Sequence, residues 1–285
     1  MNTNELIHSA LNTPVRQISP LGGGSISTAY KATLADGRTI FTKVHPQFPD
    51  MFQKEASGLR ELALANAIRI PEVLYVDTTL LILNFLPVAA IRNRKLFFEQ
   101  FGRSFARLHR HTAPLFGYGE DNYIGSTPQK NLPRTNSWRE FYWFHRLLYQ
   151  FRLAEQNRYV NETMRALFLK LEQQLEEVLP DDGEPPALLH GDLWNGNFLC
   201  LENDEPAIID PSVYYGHREA DLGMTLLFGG FSEHFYGAYN EDYPLRKGWE
   251  QRMEIYKLYH LMNHLNLFGE GYYGQVMNVL KNIVR

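Results

Sequence analysis

The chain has almost no cysteine: Cys200 is the single one in 285 residues. An intrachain disulfide and a multi-cysteine metal site are therefore excluded. Positive charge is not in excess either, since 28 Lys+Arg stand against 32 Asp+Glu for a net charge of −4. Nothing in that balance favours non-specific binding to nucleic acid. Long apolar runs are missing too. The longest, residues 80–91, is interrupted by Asn84 and Pro87 and falls short of a membrane span. The opening Met1-Asn2-Thr3-Asn4-Glu5 lacks the basic start and apolar stretch of a signal peptide. No internal repeat or low-complexity tract is visible. The expectation is a soluble, cytoplasmic protein with no nucleic-acid or membrane partner.

What is present is an ordinary globular composition, 44% hydrophobic and 21% charged. The length suits one large domain or two lobes sharing a cleft. Aromatic residues, 13% of the chain, are compatible with a thick core or with an aromatic-lined small-molecule cleft.

The character of the chain changes once. Strand-like runs occupy residues 15–20, 26–34, 38–45, 73–77 and 80–85, with Asp36-Gly37 as a hairpin turn between two of them. One helix interrupts the series: Asp50 is placed to cap it, Gln53 follows three residues on, and Phe52, Ala56, Leu59 and Ala63 recur at helical spacing. After Pro87 the pattern predicts helices over 93–111, 137–158, 161–178, 218–228 and 246–268. A short β-like region at 187–210 divides them, and the polar stretch 112–136 reads as a long surface loop. The predicted fold class is α+β and bilobal: a small antiparallel-sheet lobe over 1–86 with one helix, a connector at 84–86, and a larger, mainly helical lobe over 87–285 that carries catalysis and substrate binding. Ligands in such proteins usually sit between the lobes.

The densest polar constellation is His190-Gly191-Asp192-Leu193-Trp194-Asn195-Gly196-Asn197, preceded by Ala187-Leu188-Leu189. It is followed by Phe198-Leu199-Cys200-Leu201, a turn, and Ala207-Ile208-Ile209-Asp210-Pro211. Short apolar runs with polar ends put Asp192 and Asp210 at strand tips, with Asn197 between them. Phosphoryl transfer needs that set: one carboxylate to orient the acceptor hydroxyl, and an amide plus a second carboxylate to hold Mg²⁺ on the phosphates. An ordinary pair of Gly-containing turns would look similar.

Other parts of a kinase follow in order. Gly22-Gly23-Gly24-Ser25 lies between two strands, where backbone N–H groups could approach phosphates, although a plain Gly-rich hairpin has the same composition. Lys43 shares a strand face with Phe41, as a solvated lysine or as a phosphate ligand. Glu55, on the following helix, is placed either to pair with Lys43 or to face solvent. Gly loop, strand Lys, helix Glu, connector, Asp with Asn five later, and a strand-end Asp form the serial order of protein-kinase-like phosphotransferases.

With these residues in view, the chain resembles the fructosamine kinase (ketosamine-3-kinase) family, within the wider aminoglycoside phosphotransferase-like group. The resemblance spans nearly the whole chain. Besides the segments above, it includes Asp121-Asn122-Tyr123-Ile124-Gly125-Ser126-Thr127-Pro128-Gln129, Trp138 with Phe141, Arg218-Glu219-Ala220-Asp221-Leu222 and Leu265-Asn266-Leu267-Phe268-Gly269. It implies ATP- and Mg²⁺-dependent phosphorylation of the 3-hydroxyl of ketosamines, free or attached to protein lysines. By position it implies Asp192 as the base, Asn197 and Asp210 as metal ligands and Lys43 as the phosphate-binding lysine. Asn84, Phe85 and Leu86 correspond to the connector that meets adenine. Some relatives carry Cys at the position of Ser25, so redox control through that loop is not expected here. Asn84 stands where an acidic residue is common. Competing readings are a kinase of the same fold acting on an aminoglycoside, a choline-like amine or another sugar, and a pseudokinase binding module.

Of the remaining residues, His190 reads as a brace for its loop, and His109 and His111 as cations suited to a helix end. Glu219 and Asp221 suit either capping or bracing. Ser212 lacks the Gly-x-Ser-x-Gly surroundings of a hydrolase nucleophile. Trp194, two residues after the base, reads as core packing or as a sugar-facing platform, and the platform is the expectation carried forward.

Overall fold

The computed structural model describes residues 2–22, 27–179 and 181–284. Strands β1 (Val15–Leu21), β2 (Thr28–Leu34), β3 (Thr39–Val44), β4 (Val73–Val76) and β5 (Leu80–Asn84) form one antiparallel sheet in the order β1-β2-β3-β5-β4. Alternation along β3 separates two faces. Ile40 and Val44 join Leu80, Ile82 and Ile7 in one apolar cluster, while Phe41 lies on the opposite side with Leu81, Leu83 and the helix α2 (Met51–Leu64). The same two-residue period puts Lys43 on the α2 and cleft side. A helix not anticipated from the sequence, α1 (Thr3–Leu11), covers the other face through Ile7. Its capping box is reciprocal: Glu5 N–H donates to Asn2 Oδ1 and Asn2 N–H to Glu5 Oε2, both at 3.0 Å. Asp50 precedes α2 but makes no side-chain cap bond. Its carboxylate accepts from Tyr123 Oη at 2.7 Å instead.

The rest of the chain is mainly helical. Helix α3 (Arg94–His109) leads to a hairpin, β6 (Asn122–Ile124) and β7 (Thr127–Gln129), inside the stretch expected to be a surface loop. The correction has a physical reason: three of its four inward side chains, Asn122, Thr127 and Gln129, are polar but buried, and Ile124 alone is apolar, so no apolar alternation marks the strands. Helices α4 (Trp138–Tyr142) and α5 (Leu148–Gln156) flank a π-helical turn at Trp143–Leu147. Then come α6 (Glu162–Gln173), α7 (Leu175–Val178) and two short ribbons. Strand β8 (Ala187–Leu189) pairs with β11 (Tyr214–Gly216), and β9 (Phe198–Cys200) with β10 (Pro206–Ile208). Helices α8 (Glu219–Thr225), α9 (Glu233–Asp242), α10 (Trp249–Phe268) and α11 (Tyr273–Ile283) complete the lobe. Most of the aromatic excess goes into this core, as in the cluster of Phe97, Phe98, Phe101, Phe105, Phe231 and Phe235. Among the described residues no helix is long and apolar enough to cross a membrane.

Candidate active site

A cleft of about 860 Å³ opens between the sheet and the helical lobe. Lys43, Glu55, Asp192, Trp194, Asn197 and Asp210 all line it, as do Gly22 and the connector Asn84-Phe85-Leu86. Gly23, Gly24 and Ser25 lie outside the described residues.

The polar floor comes from the ends of the two ribbons. Strand β8 stops at Leu189, and the chain turns through His190 and Gly191 to Asp192. Gly191 has φ +81, and a Cβ there would lie 2.0 Å from the Ser212 carbonyl oxygen, so only glycine fits. The loop returns at Asn197, whose Nδ2 donates to the Asp192 carbonyl at 2.8 Å. Ile209 N–H donates to the Asn197 carbonyl at 3.0 Å, which sets Asp210 beside the loop at the end of β10.

His190 braces the loop as expected. Its Nδ1 accepts from the Asp192 N–H at 3.2 Å, so Nε2 carries the proton and donates to the Ile209 carbonyl at 2.8 Å. Burial holds its pKa below the ordinary histidine value. Asp221 braces rather than caps: it accepts the N–H groups of His190 and Gly191 at 2.7 and 2.8 Å. Glu219 is buried and forms a two-pronged pair with Arg252 at 2.6 and 2.8 Å. His109 departs from the expected dipole role. It is wholly buried, bonded to Tyr239 Oη at 2.7 Å and Asp221 at 3.2 Å, and burial lowers its pKa.

From the sheet side, Lys43 Nζ reaches Glu55 at 2.8 Å and Asp210 at 2.9 Å. Burial works against its charge, but the two carboxylates outweigh it and raise its pKa. Among the described residues Asp192 has no such cation within ion-pair distance. Burial and the negative Asp210 and Asp221 push its carboxyl well above the usual range. Trp194 is 39% exposed, packs edge-on against Phe228 and lies so close over Gly196 that a Cβ there would sit 2.4 Å from the indole. Asn84 Oδ1 accepts from the Glu72 N–H at 2.5 Å, which gives its side chain a bracing contact.

Sequence reasoning missed the hairpin Asn122–Gln129 and the end of α10 as walls of this cleft; Asn122, Tyr123, Ser126, His264 and Phe268 line it. A signal for the hairpin was present in Gly125-Ser126, a two-residue turn with glycine first, and Gly125 has φ +59.

Comparison with known proteins gives a consistent set of similarities. The family model described as Fructosamine kinase matches residues 1–285. A Synechocystis sp. protein assigned as a ketoamine kinase is 40% identical over 278 residues, covering 95% of this chain and 91% of that protein. The chloroplastic protein-ribulosamine 3-kinase of Arabidopsis thaliana is 37% identical over 281 residues, covering 96% and 84%. Among solved structures, a Thermobifida fusca protein assigned as a fructosamine-3-kinase superposes with a TM-score of 0.91 at 32% identity, covering 100% of this chain and 99% of that one.

Proposed function

The chain belongs to the fructosamine kinase family, and we propose that it transfers the γ-phosphoryl group of ATP to the 3-hydroxyl of a ketosamine, a fructosamine or ribulosamine either free or carried on a protein lysine. The observation that carries this reading is the chain of ion pairs Glu55–Lys43–Asp210, which joins the two lobes at the cleft floor. Phosphoryl transfer asks the protein mainly for positioning and for positive charge beside phosphate oxygens. A lysine gripped by a carboxylate on each side stays charged and extended where the α- and β-phosphates would lie.

Asp192 is the base in this reading. A carboxyl pushed upward by burial and neighbouring negative charge is a better proton acceptor than an exposed one. Asn197 and Asp210 would hold the metal. The Asn197 amide nitrogen is committed to the Asp192 carbonyl, while its Oδ1 accepts no hydrogen bond among the described residues. Two hard oxygen donors fit Mg²⁺, which takes one or two protein ligands and fills the rest with phosphate and water. When bound, the ion supplies charge neutralisation at the phosphate oxygens. For adenine, the N–H groups of Asn84 and Phe85 are engaged by the Glu72 and Thr39 carbonyls at 3.0 and 3.2 Å. Leu86 is the next connector residue, with Leu21, Phe41 and Leu199 as apolar walls of the same cleft. Of the Gly-rich segment, Gly22 lines the same cleft.

The acceptor end favours a sugar over a polycation. Among the described residues the carboxylates that line the cleft are Glu55, Asp192 and Asp210: the first and last are paired with Lys43, which leaves Asp192, the base, as the one acidic group for the acceptor. The acceptor walls are aromatic and amide in character, Trp194 and Phe268 among them, and C–H faces of a sugar pack on such rings. Metal-dependent ADP release, measured with fructoselysine, ribuloselysine, kanamycin and choline, tests the reading. Ketosamines alone should stimulate release. Faster release with kanamycin or choline than with either ketosamine would overturn it.

A further inference from the structure

We propose that Asn122 and Gln129 are positioning residues for Asp210: their side-chain amides clamp the backbone just beyond it and hold its carboxylate at the metal-binding position. The proposal rests on the reading of Asp210 as a metal ligand. Asp210 has φ +54, in the left-handed region that a non-glycine residue occupies only when its surroundings enforce it. Pro211 follows and has no N–H with which to anchor the turn. The restraint must therefore come from the residues on either side.

Two sets of bonds supply it. On the catalytic-loop side, Ile209 and Ser212 N–H donate to the Asn197 and His190 carbonyls at 3.0 and 2.8 Å. On the opposite side, Gln129 Nε2 donates to the Ser212 carbonyl at 2.9 Å and Asn122 Nδ2 to the Val213 carbonyl at 2.8 Å. Both amides are buried, and neither is free to turn over. Gln129 Oε1 accepts from Tyr259 Oη at 2.8 Å, and its Nε2 also donates to Asn122 Oδ1 at 2.9 Å. That oxygen accepts in addition from Asn131 Nδ2 at 2.9 Å, and Asn131 Oδ1 from Arg146 Nη2 at 2.8 Å.

Arg146 explains why the chain of amides has one direction only. Its guanidinium is fully buried, lies 4.0 Å from the Tyr214 ring centroid, and has no carboxylate partner among the described residues. A guanidinium only donates, so Asn131 must present oxygen to it and nitrogen to Asn122. Asn122 must then accept and pass its own N–H groups to the Val213 carbonyl. The hairpin and the residue two before it also tie to the start of α2, Tyr123 to Asp50, which precedes the helix, at 2.7 Å and Glu120 to Lys54 within it at 2.5 Å. One hairpin thus touches the helix that carries Glu55 and the segment that carries Asp210, the two partners of Lys43.

The test is calorimetric binding of ADP to the full chain in EDTA and in Mg²⁺, compared with Gln129→Met, which keeps length and removes both donors. The affinity in EDTA should be unchanged, and the gain on adding Mg²⁺ should fall by about threefold to tenfold, the cost of one or two lost hydrogen bonds. A folded variant that melts earlier yet keeps the full Mg²⁺ gain would show a merely structural role and overturn the proposal. If Gln129→Met does not fold, Tyr259→Phe, which removes only the bond to Gln129 Oε1, is read in the same way for a gain reduced by about twofold. A wild-type protein with no Mg²⁺ gain overturns the metal reading of Asp210 itself, and this proposal with it.

Discussion

The core of the sheet lobe is apolar, with Thr42 its single fully buried polar residue among those described, whereas the helical lobe buries histidines, arginines, carboxylates and amides between its helices. The difference follows from how each lobe satisfies its backbone. Five paired strands meet their own hydrogen-bonding needs, and alternation leaves one apolar face for α1 and another for α2. The segments of the helical lobe that carry Asp192, Asn197 and Asp210 hang on strands of three residues, too short for pairing alone to fix them. Buried side chains do so instead: Asp221 under His190 and Gly191, and Asn122 and Gln129 against Ser212 and Val213. The sheet lobe carries groups to the cleft, and the helical lobe fixes their geometry.

If that division is right, chemistry and nucleotide binding separate on mutation. Asp192→Asn should retain ATP binding and lose about 10²–10⁴-fold in turnover, the usual scale of a general base. Steady-state rates within a few-fold of wild type, with ATP affinity intact, would remove Asp192 from the chemical step. A smaller effect sharpens the same comparison at the acceptor end. Trp194→Ala should raise KM for the ketosamine from a few-fold to a few tens-fold, on the scale of a lost sugar-stacking or cation–π contact of about 0.5–2 kcal/mol. KM for ATP should stay put. Because Trp194 is 39% exposed, a melting drop of several degrees with an unaltered acceptor KM would return it to a packing role.

The buried histidines give the third test. Burial lowers the pKa of His109, His190, His260 and His264, and that of His260 to about 3. Between the ordinary value near 6.5 and these depressed values, the unfolded chain binds protons that the native state refuses. Stability is therefore present above pH 6.5 and is lost as pH falls below it, by up to about 1.4 kcal/mol per pH unit for each such group. All four tryptophans lie in the helical lobe, so their fluorescence follows its unfolding. His260→Leu should flatten the acid side of the urea-unfolding free energy by about one such slope between pH 6 and 4. An unchanged slope would mean that His260 is not neutral and buried in the folded protein.

How far the sequence carried these conclusions depended on what the inward positions were made of. Where they were apolar, period and face were readable, and Lys43 came out on the side of Phe41 that faces α2. The run His190–Asn197 was readable because its polar residues stand between apolar strands. The hairpin Asn122–Gln129 was not, since Ile124 is the one aliphatic side chain on an inner face otherwise made of Asn122, Thr127 and Gln129. His109 looked like a helix-end cation because its partners, Asp221 and Tyr239, lie more than a hundred residues away. Helix α1 left two signs that were passed over: Asn2 with Glu5 at capping-box spacing, and the continuous apolar run of β5, which needs cover on both faces.

The most direct test of the account follows the phosphoryl group itself. Wild-type protein is incubated with ATP, Mg²⁺ and fructoselysine, and the product is examined by ³¹P NMR with proton correlation to locate the phosphate on the sugar. The account predicts a new phosphomonoester coupled to the proton on C3, absent with Asp192→Asn over the same interval. A phosphate on another carbon, or the same product formed at wild-type rate by Asp192→Asn, would contradict it.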